Sequence, residues 1–469
     1  MKTITLLFSF LFLSSLLYAQ NMEGSWSGRL QVQGNTLQIV FNIRATDTGF
    51  TSTMDSPDQG ASGLATDNTS IIDNNIIIVA SKFGITYKGT YLPDSNKING
   101  TFNQGPGSFP LTLSRSSDLK TVAKPVKRPQ DPTEFPYKQE EITFKNSKAG
   151  NLLSGTLTTP STGKFSKIVV LISGSGPQNR DEEIEQFNHR PFLVWSDWLT
   201  RNGIAVLRYD DRGVGKSTGQ FATATSADFA DDAEAAVTYI NGRKDLKGLN
   251  IGLVGHSEGG MIAPIVASRN PLVKFIVLLA GPGVPISELM VKQNSDLMRL
   301  SGAADSAIAA SSAVNREIYQ AFGDYKTLSP EKFKVKIDSI FYATMKTKMP
   351  NLSAEKISQT VNESSNVINT PWFRYFITFN PADYLIKIKC PVLAINGTLD
   401  MQVNSDANLN GIKTSLIKAG NNKFEIVPLV GLNHLLQKAT TGSVNEYAQI
   451  SETVNPVALQ KVAQWINKL

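Results

Sequence analysis

The pentapeptide Gly255-His256-Ser257-Glu258-Gly259 directly follows the apolar run Ile251-Gly252-Leu253-Val254 and precedes a helix-like stretch from Met261 to Ala267. Strand, tight turn, helix is the order in which a nucleophile elbow is built. The flanking glycines carry no Cβ, so the turn can tighten and the helix can pack close while the serine holds a strained conformation. Ser257 Oγ is then expected at the carboxyl end of a strand and the positive end of a helix, where a developing oxyanion is favoured.

A serine hydroxyl needs a base to take its proton and a third group to orient that base. The chain has three histidines, His189, His256 and His434. His256 adjoins the serine on the elbow, so its side chain should point away from Ser257 Oγ. His434 sits in Gly431-Leu432-Asn433-His434, after the strand-like run Phe424 to Leu429, and is the expected base. The acid should fall between serine and histidine in the chain. Asp400, just past the strand that begins at Val392, is the first choice, with Asp383 and Asp406 as runners-up.

An oxyanion hole requires two backbone N–H groups. One is expected from Glu258, the residue after the nucleophile. The other is expected from the Gly-rich loop after Ile172, in the stretch Ser175–Gly176; Pro177 has no N–H to offer. Asp210-Asp211-Arg212-Gly213-Val214-Gly215-Lys216-Ser217 ends like a phosphate-binding loop but has Asp210 where the first glycine should stand, which argues against nucleotide binding. It reads as a structural turn, with Asp211 and Arg212 paired near the pocket floor.

These groups need a scaffold. A chain of 469 residues exceeds one compact core, and 41% hydrophobic with 18% charged residues describes an ordinary globular protein. Residues 1–19 read as a secretory signal: Met1-Lys2, an apolar run from Leu6 to Leu17, then Ala19. No cysteine adjoins the cleavage point, so a secreted or periplasmic protein without a lipid anchor is expected, with no transmembrane segment in the mature chain. Residues 21–117 hold short β-prone runs between turn residues and are expected to form a small antiparallel barrel or sandwich, with Trp26 plugging one end. A Pro-rich linker spans 118–138. From 139 to 469 strands alternate with helices, the signature of a doubly wound, mostly parallel α/β sheet. Between about 284 and 373 the strand signal vanishes, and a helical cap over the carboxyl edge of the sheet is expected.

Cys390 is the sole cysteine, which excludes an intrachain disulfide; it is expected as a small buried core residue. The net charge of +6 is spread along the chain, so no nucleic-acid surface is read. No His, Asp or Glu spacing suggests a metal, and no cofactor is expected.

Taken with Gly174-Ser175-Gly176-Pro177, Arg180-Asp181, Tyr209-Asp210-Asp211-Arg212-Gly213 and Pro371 to Phe376, the segment from Glu140 to Leu469 resembles the α/β-hydrolase superfamily. It is most similar to exported bacterial esterases of the serine-aminopeptidase-like branch. The resemblance implies hydrolysis of short-acyl carboxylic esters, with Ser257, Asp400 and His434 in the triad roles. Trp372, Phe373, Tyr375 and Phe376 are candidates to line an apolar acyl or alcohol pocket. A peptidase or amidase on the same scaffold is the alternative, with Glu258, Asp181, Glu182 or Glu183 as carriers of an amine-binding charge. A glycan- or lipid-binding protein without catalysis is a third reading.

Overall fold

The structure is a computed structural model. It describes residues 22–32, 35–47, 49–57, 61–104, 107–115, 128–161 and 165–469. The expected signal segment and the linker residues before Arg128 lie outside the described residues. Contacts divide the chain into two units, with the boundary between Lys127 and Arg128.

The first unit is an antiparallel barrel of short strands: β1 (Gly24–Val32), β2 (Asn35–Thr46), β3 (Gly49–Ser56), β4 (Ala61–Ala65), β5 (Asn68–Ile72), β6 (Asn75–Ala80), β7 (Ile85–Leu92), β8 (Lys97–Gln104) and β9 (Gly107–Arg115). The order β2-β1-β9-β8-β7-β6-β5-β3 closes through β2–β3, and β4 hangs on β3. Closure removes the free edges that would otherwise template aggregation. Alternation sets the interior: in β6, Ile76, Ile78 and Ala80 are buried while Ile77 faces outward. Trp26, Phe41, Tyr87 and Phe102 fill the centre. The Trp26 indole N–H donates to the Met22 carbonyl at 3.0 Å, and the Arg115 guanidinium lies 4.8 Å from its ring centroid, so its polar edge is satisfied where it closes the core.

The second unit is built on eight strands: β10 (Lys138–Lys145), β11 (Leu152–Thr159), β12 (Lys167–Ile172), β13 (Ala205–Tyr209), β14 (Asn250–His256), β15 (Val273–Leu279), β16 (Val392–Gly397) and β17 (Phe424–Leu429). Their order is β10-β11-β13-β12-β14-β15-β16-β17, with β11 antiparallel to both neighbours and β13 to β17 parallel. The central strands read as unbroken apolar runs because both faces are covered. In β12, Ile168, Val170 and Ile172 enter one core while Val169 and Leu171 enter the other.

The covering helices are α1 (Pro191–Arg201), α2 (Ser226–Gly242), α3 (Glu258–Ala267), α4 (Ile286–Leu300), α5 (Asp305–Asp324), α6 (Pro330–Lys348), α7 (Ala354–Ile368), α8 (Pro371–Ile377), α9 (Ala382–Leu385), α10 (Ser405–Lys418) and α11 (Pro456–Lys468). Helices α4 to α9 lie between β15 and β16, and those from α4 to α8 form a bundle packed on Phe322, Phe333 and Phe373. Trp195 is buried and Trp198 partly buried in the core beneath α1, as their helical spacing implies. Cys390 departs from expectation. It is only partly buried, packed against the core just before β16, and that burial still pushes its thiol up to about 11.

Residues just before β10 belong to this unit. The buried Arg128 guanidinium donates to the carbonyls of Phe187, Ile450, Glu452 and Tyr447. Arg128→Ala strands these carbonyls and is expected to cost about 2–4 kcal/mol, read by denaturant unfolding; a loss under about 0.5 kcal/mol contradicts that role.

Candidate active site

Ser257 stands between β14 and α3 with φ 52° and ψ −116°, a conformation non-glycine residues rarely hold. Close packing maintains it. A Cβ on Gly255 would lie 2.0 Å from the Gly259 carbonyl oxygen, and one on Gly259 2.0 Å from that of Ile172. Gly259→Ala therefore forces backbone apart beneath the serine. We expect kcat/KM to fall about a hundredfold or more with a lowered Tm; wild-type activity in a steady-state assay contradicts this.

His434 Nε2 lies 3.1 Å from Ser257 Oγ, and Nδ1 lies 2.7 Å from Asp400 Oδ2. Asp400 is anchored through its other oxygen, Oδ1, which accepts from the Gln402 and Val403 amides at 2.8 Å each. The His434 loop is closed by the buried pair Asn433 and Gln437, which exchange backbone and side-chain hydrogen bonds. The structure thus brings together Ser257, His434 and Asp400. The runners-up are elsewhere: Asp383 lies in α9 ahead of β16, and Asp406 in the first turn of α10.

His189 is buried, with Nε2 3.0 Å from the Thr453 carbonyl, and burial followed by the nearby Arg128 charge pushes it down to about 3. His256 does point away from Ser257 Oγ. Its Nδ1 is 2.9 Å from Glu182 Oε1, and its Nε2 is 3.1 Å from the His434 carbonyl.

A cavity of about 210 Å³ opens on these groups and is lined by Gly174, Ser175, Ser257 and His434, with Ile184, Leu435 and Tyr447 among its other walls. A larger one, about 650 Å³, lies between α4, α5 and the end of α8 and contains none of Ser257, His434 or Asp400. Chemistry assigns the site to the smaller. Gly174 and Ser175 line it, whereas Gly176, at φ 96°, does not.

Three carboxyl groups stake the loop after β12. Glu182 Oε1 accepts the Gly174 amide at 2.7 Å. Asp211 accepts the Ser173 hydroxyl at 3.1 Å and the Gln178 amide at 3.0 Å. Glu258 takes a hydrogen bond from the Ser175 side chain, together with the Ser226 hydroxyl at 2.6 Å and the Trp372 indole N–H at 2.9 Å. Burial pushes the Glu258 carboxyl upward against those hydrogen bonds, and the Asp211 carboxyl well upward.

Two expectations need correction. Asp211 does not pair with Arg212: Arg212 Nε bonds Asp232 at 2.6 Å and its Nη1 lies 3.6 Å from Asp228, on α2, while Asp211 turns to the β12 loop. Each side chain is held by partners on a different element, so adjacency in sequence does not make them a pair. Nor do Trp372, Phe373, Tyr375 and Phe376 line the cavity. Phe373 and Phe376 are core, Trp372 stacks on Phe376 at 4.7 Å, and Tyr375 packs against Phe379. Only Trp372 reaches the site, through Glu258. Among the described residues no group of three or more His, Cys, Asp or Glu is arranged to hold a metal ion.

The strand order of the second unit, a strained serine after its fifth strand and a histidine after its last define the α/β-hydrolase fold. Residues 192–330 match the family model described as serine aminopeptidase, S33. Over 341 residues the chain is 24% identical to esterase EstD of Thermotoga maritima, covering 72% of this chain and 69% of that protein. A 126-residue stretch is 29% identical to the uncharacterized protein YfhR of Escherichia coli K12, covering 27% of this chain and 40% of the relative. Among solved structures, the Pyrococcus furiosus esterase Pf2001 aligns with a TM-score of 0.42 at 16% identity, over 74% of this chain and 97% of that one.

Proposed function

We propose that the protein is an exported serine carboxylesterase acting on short-acyl esters. The observation that carries this is the relay in which His434 Nε2 stands 3.1 Å from Ser257 Oγ while Nδ1 faces Asp400 at 2.7 Å. The likeness to an esterase and to the serine aminopeptidase model supports a hydrolase of esterase type. In the first step Ser257 Oγ attacks the ester carbonyl carbon, and His434 Nε2 takes its proton. Asp400 holds Nδ1–H and steadies the imidazolium. His434 then returns the proton to the departing alcohol, and a water activated by the same nitrogen cleaves the acyl-enzyme.

Glu258 opens α3, so its amide has no acceptor within the helix and serves the oxyanion. The Gly174 amide is already committed to Glu182, so the second donor falls to Ser175. The cavity, about 210 Å³, is smaller than pockets for drug-sized ligands, at roughly 300–1,000 Å³, and suits a short acyl group. Turnover of p-nitrophenyl acetate or butyrate is expected to exceed that of the laurate by about tenfold or more in kcat/KM. Equal rates contradict the size argument.

The peptidase reading needs a free acid to bind a peptide amine. Each candidate has a partner already: Asp181 binds Arg208 at 2.7 Å, Glu182 binds His256, Glu183 binds Asn179 at 3.0 Å, and Glu258 is buried among hydroxyl and indole donors. A panel of p-nitrophenyl esters and aminoacyl anilides, with Ser257→Ala as control, separates the two. Esters alone should turn over, and preferred anilide cleavage overturns the assignment.

Export rests on the Met1-Lys2 start, the apolar run to Leu17 and Ala19. Among the described residues no helix is long and apolar enough to cross a membrane. Mass spectrometry of the exported fraction should give a new amino terminus near Gln20, and an intact Met1 there contradicts cleavage.

A further inference from the structure

We propose that Glu182 and His256 are positioning residues, a buried acid–imidazole pair that ties the oxyanion loop, the elbow and the His434 loop together and sets a cation beside the base. The inference rests on the esterase reading above and goes beyond it, since that mechanism uses neither side chain.

One oxygen does two tasks. Glu182 Oε1 accepts the Gly174 amide at 2.7 Å and meets His256 Nδ1 at 2.9 Å. The other imidazole nitrogen, Nε2, lies 3.1 Å from the His434 backbone carbonyl, an acceptor only, so Nε2 must carry hydrogen. Two side chains therefore link three backbone segments that are remote in the chain. Both are nearly excluded from solvent, at 6% and 8% exposure. Glu182 itself holds φ 51°, a left-handed conformation sustained at a non-glycine residue.

With Nε2–H given to a carbonyl, a bond from Nδ1–H to a carboxylate makes His256 an imidazolium. The surroundings favour that form: burial opposes the charge, but Glu182, the His434 carbonyl and Asp400 outweigh it and push His256 upward. The His256 and His434 rings are 5.0 Å apart. A positive charge that close to the base repels a second one there. The other groups facing the pair are Asp400, bonded to His434, the neutral His189, and Tyr447, whose hydroxyl burial pushes upward. Asp400 is unchanged in every variant below.

The test is the pH dependence of kcat/KM for a short-acyl ester. A general base must be deprotonated to act, so the rate rises with pH along an acid limb. His256→Gln keeps a donor to the His434 carbonyl, removes the cation and leaves Glu182 without its partner. Its acid limb should move upward by on the order of one pH unit, and plateau kcat should fall about tenfold. Glu182→Gln leaves His256 neutral, and the amide cannot serve Gly174 and Nδ1 from one atom; its limb should move the same way by less. Limbs that stay at the wild-type position in folded variants overturn the proposal, even if activity falls.

If either variant fails to fold, NMR titration of the wild type decides, because only three histidines need assignment. His256 should be charged at pH 7. His256 neutral at pH 7 overturns the idea. Wild-type labelling by a fluorophosphonate separates the readings: no label defeats the esterase assignment itself, whereas a label with unmoved pH profiles defeats only this pair.

Discussion

Ser257→Ala, His434→Ala and the double variant are expected to lower kcat on a short-acyl ester by nearly the same factor, about a millionfold. In the proposed mechanism hydroxyl and imidazole act as one device. With Oγ gone, the base 3.1 Å away has no proton to take; with the imidazole gone, the hydroxyl keeps its proton. The second deletion then removes nothing that still functions. Residual turnover above water should come from the Glu258 and Ser175 amides and from substrate binding. Ser257 is only partly buried, so its truncation should leave Tm within a few degrees of wild type. Steady-state kinetics on the three variants checks this. Losses that multiply in the double variant mean that the two residues act independently.

Asp400→Asn is expected to lower kcat about ten-thousandfold while the fold survives. The surroundings dictate how the amide sits. The Gln402 and Val403 amides both donate to Oδ1 at 2.8 Å, so the asparagine oxygen stays there and its NH₂ replaces Oδ2. That NH₂ donates to His434 Nδ1, which forces the ring proton onto Nε2, facing Ser257. The base then presents a hydrogen where it needs a lone pair. Size is conserved and the two backbone bonds persist, so urea unfolding should show a change below about 1 kcal/mol. Activity within tenfold of wild type contradicts the role given to Asp400.

What was legible in the chain follows from how local the signals are. The elbow is a short pattern whose glycines are demanded by backbone contacts near 2.0 Å, and sequence displays that directly. Unbroken apolar runs such as Ile168 to Ile172 announce strands covered on both faces. Turn residues between alternating runs announced a barrel or sandwich, and the closure through β2 and β3 that decides for the barrel is a pairing of strands that no local pattern encodes.

The contacts that hold the site are long-range and were not legible. Glu182 sits in the run Asp181-Glu182-Glu183, where three adjacent carboxyls look alike; folding sends one to Arg208, one to His256 and one to Asn179. The Trp372 bond to Glu258 spans 114 residues of sequence, so the aromatic run Trp372 to Phe376 read as a pocket when most of it is core. Asp211 and Arg212 misled for the opposite reason, since neighbours in the chain each have a partner elsewhere. For Glu258 the sequence shows its place after the elbow serine but not its burial, which the distant Ser226 and Trp372 bonds complete.

The most direct measurement is the mass of the intact protein after treatment with a fluorophosphonate, followed by peptide mapping. One adduct on Ser257 is predicted in the wild type, with none in Ser257→Ala and a strongly slowed reaction in His434→Ala. A folded wild-type protein that takes no adduct, or takes it on another residue, contradicts the account.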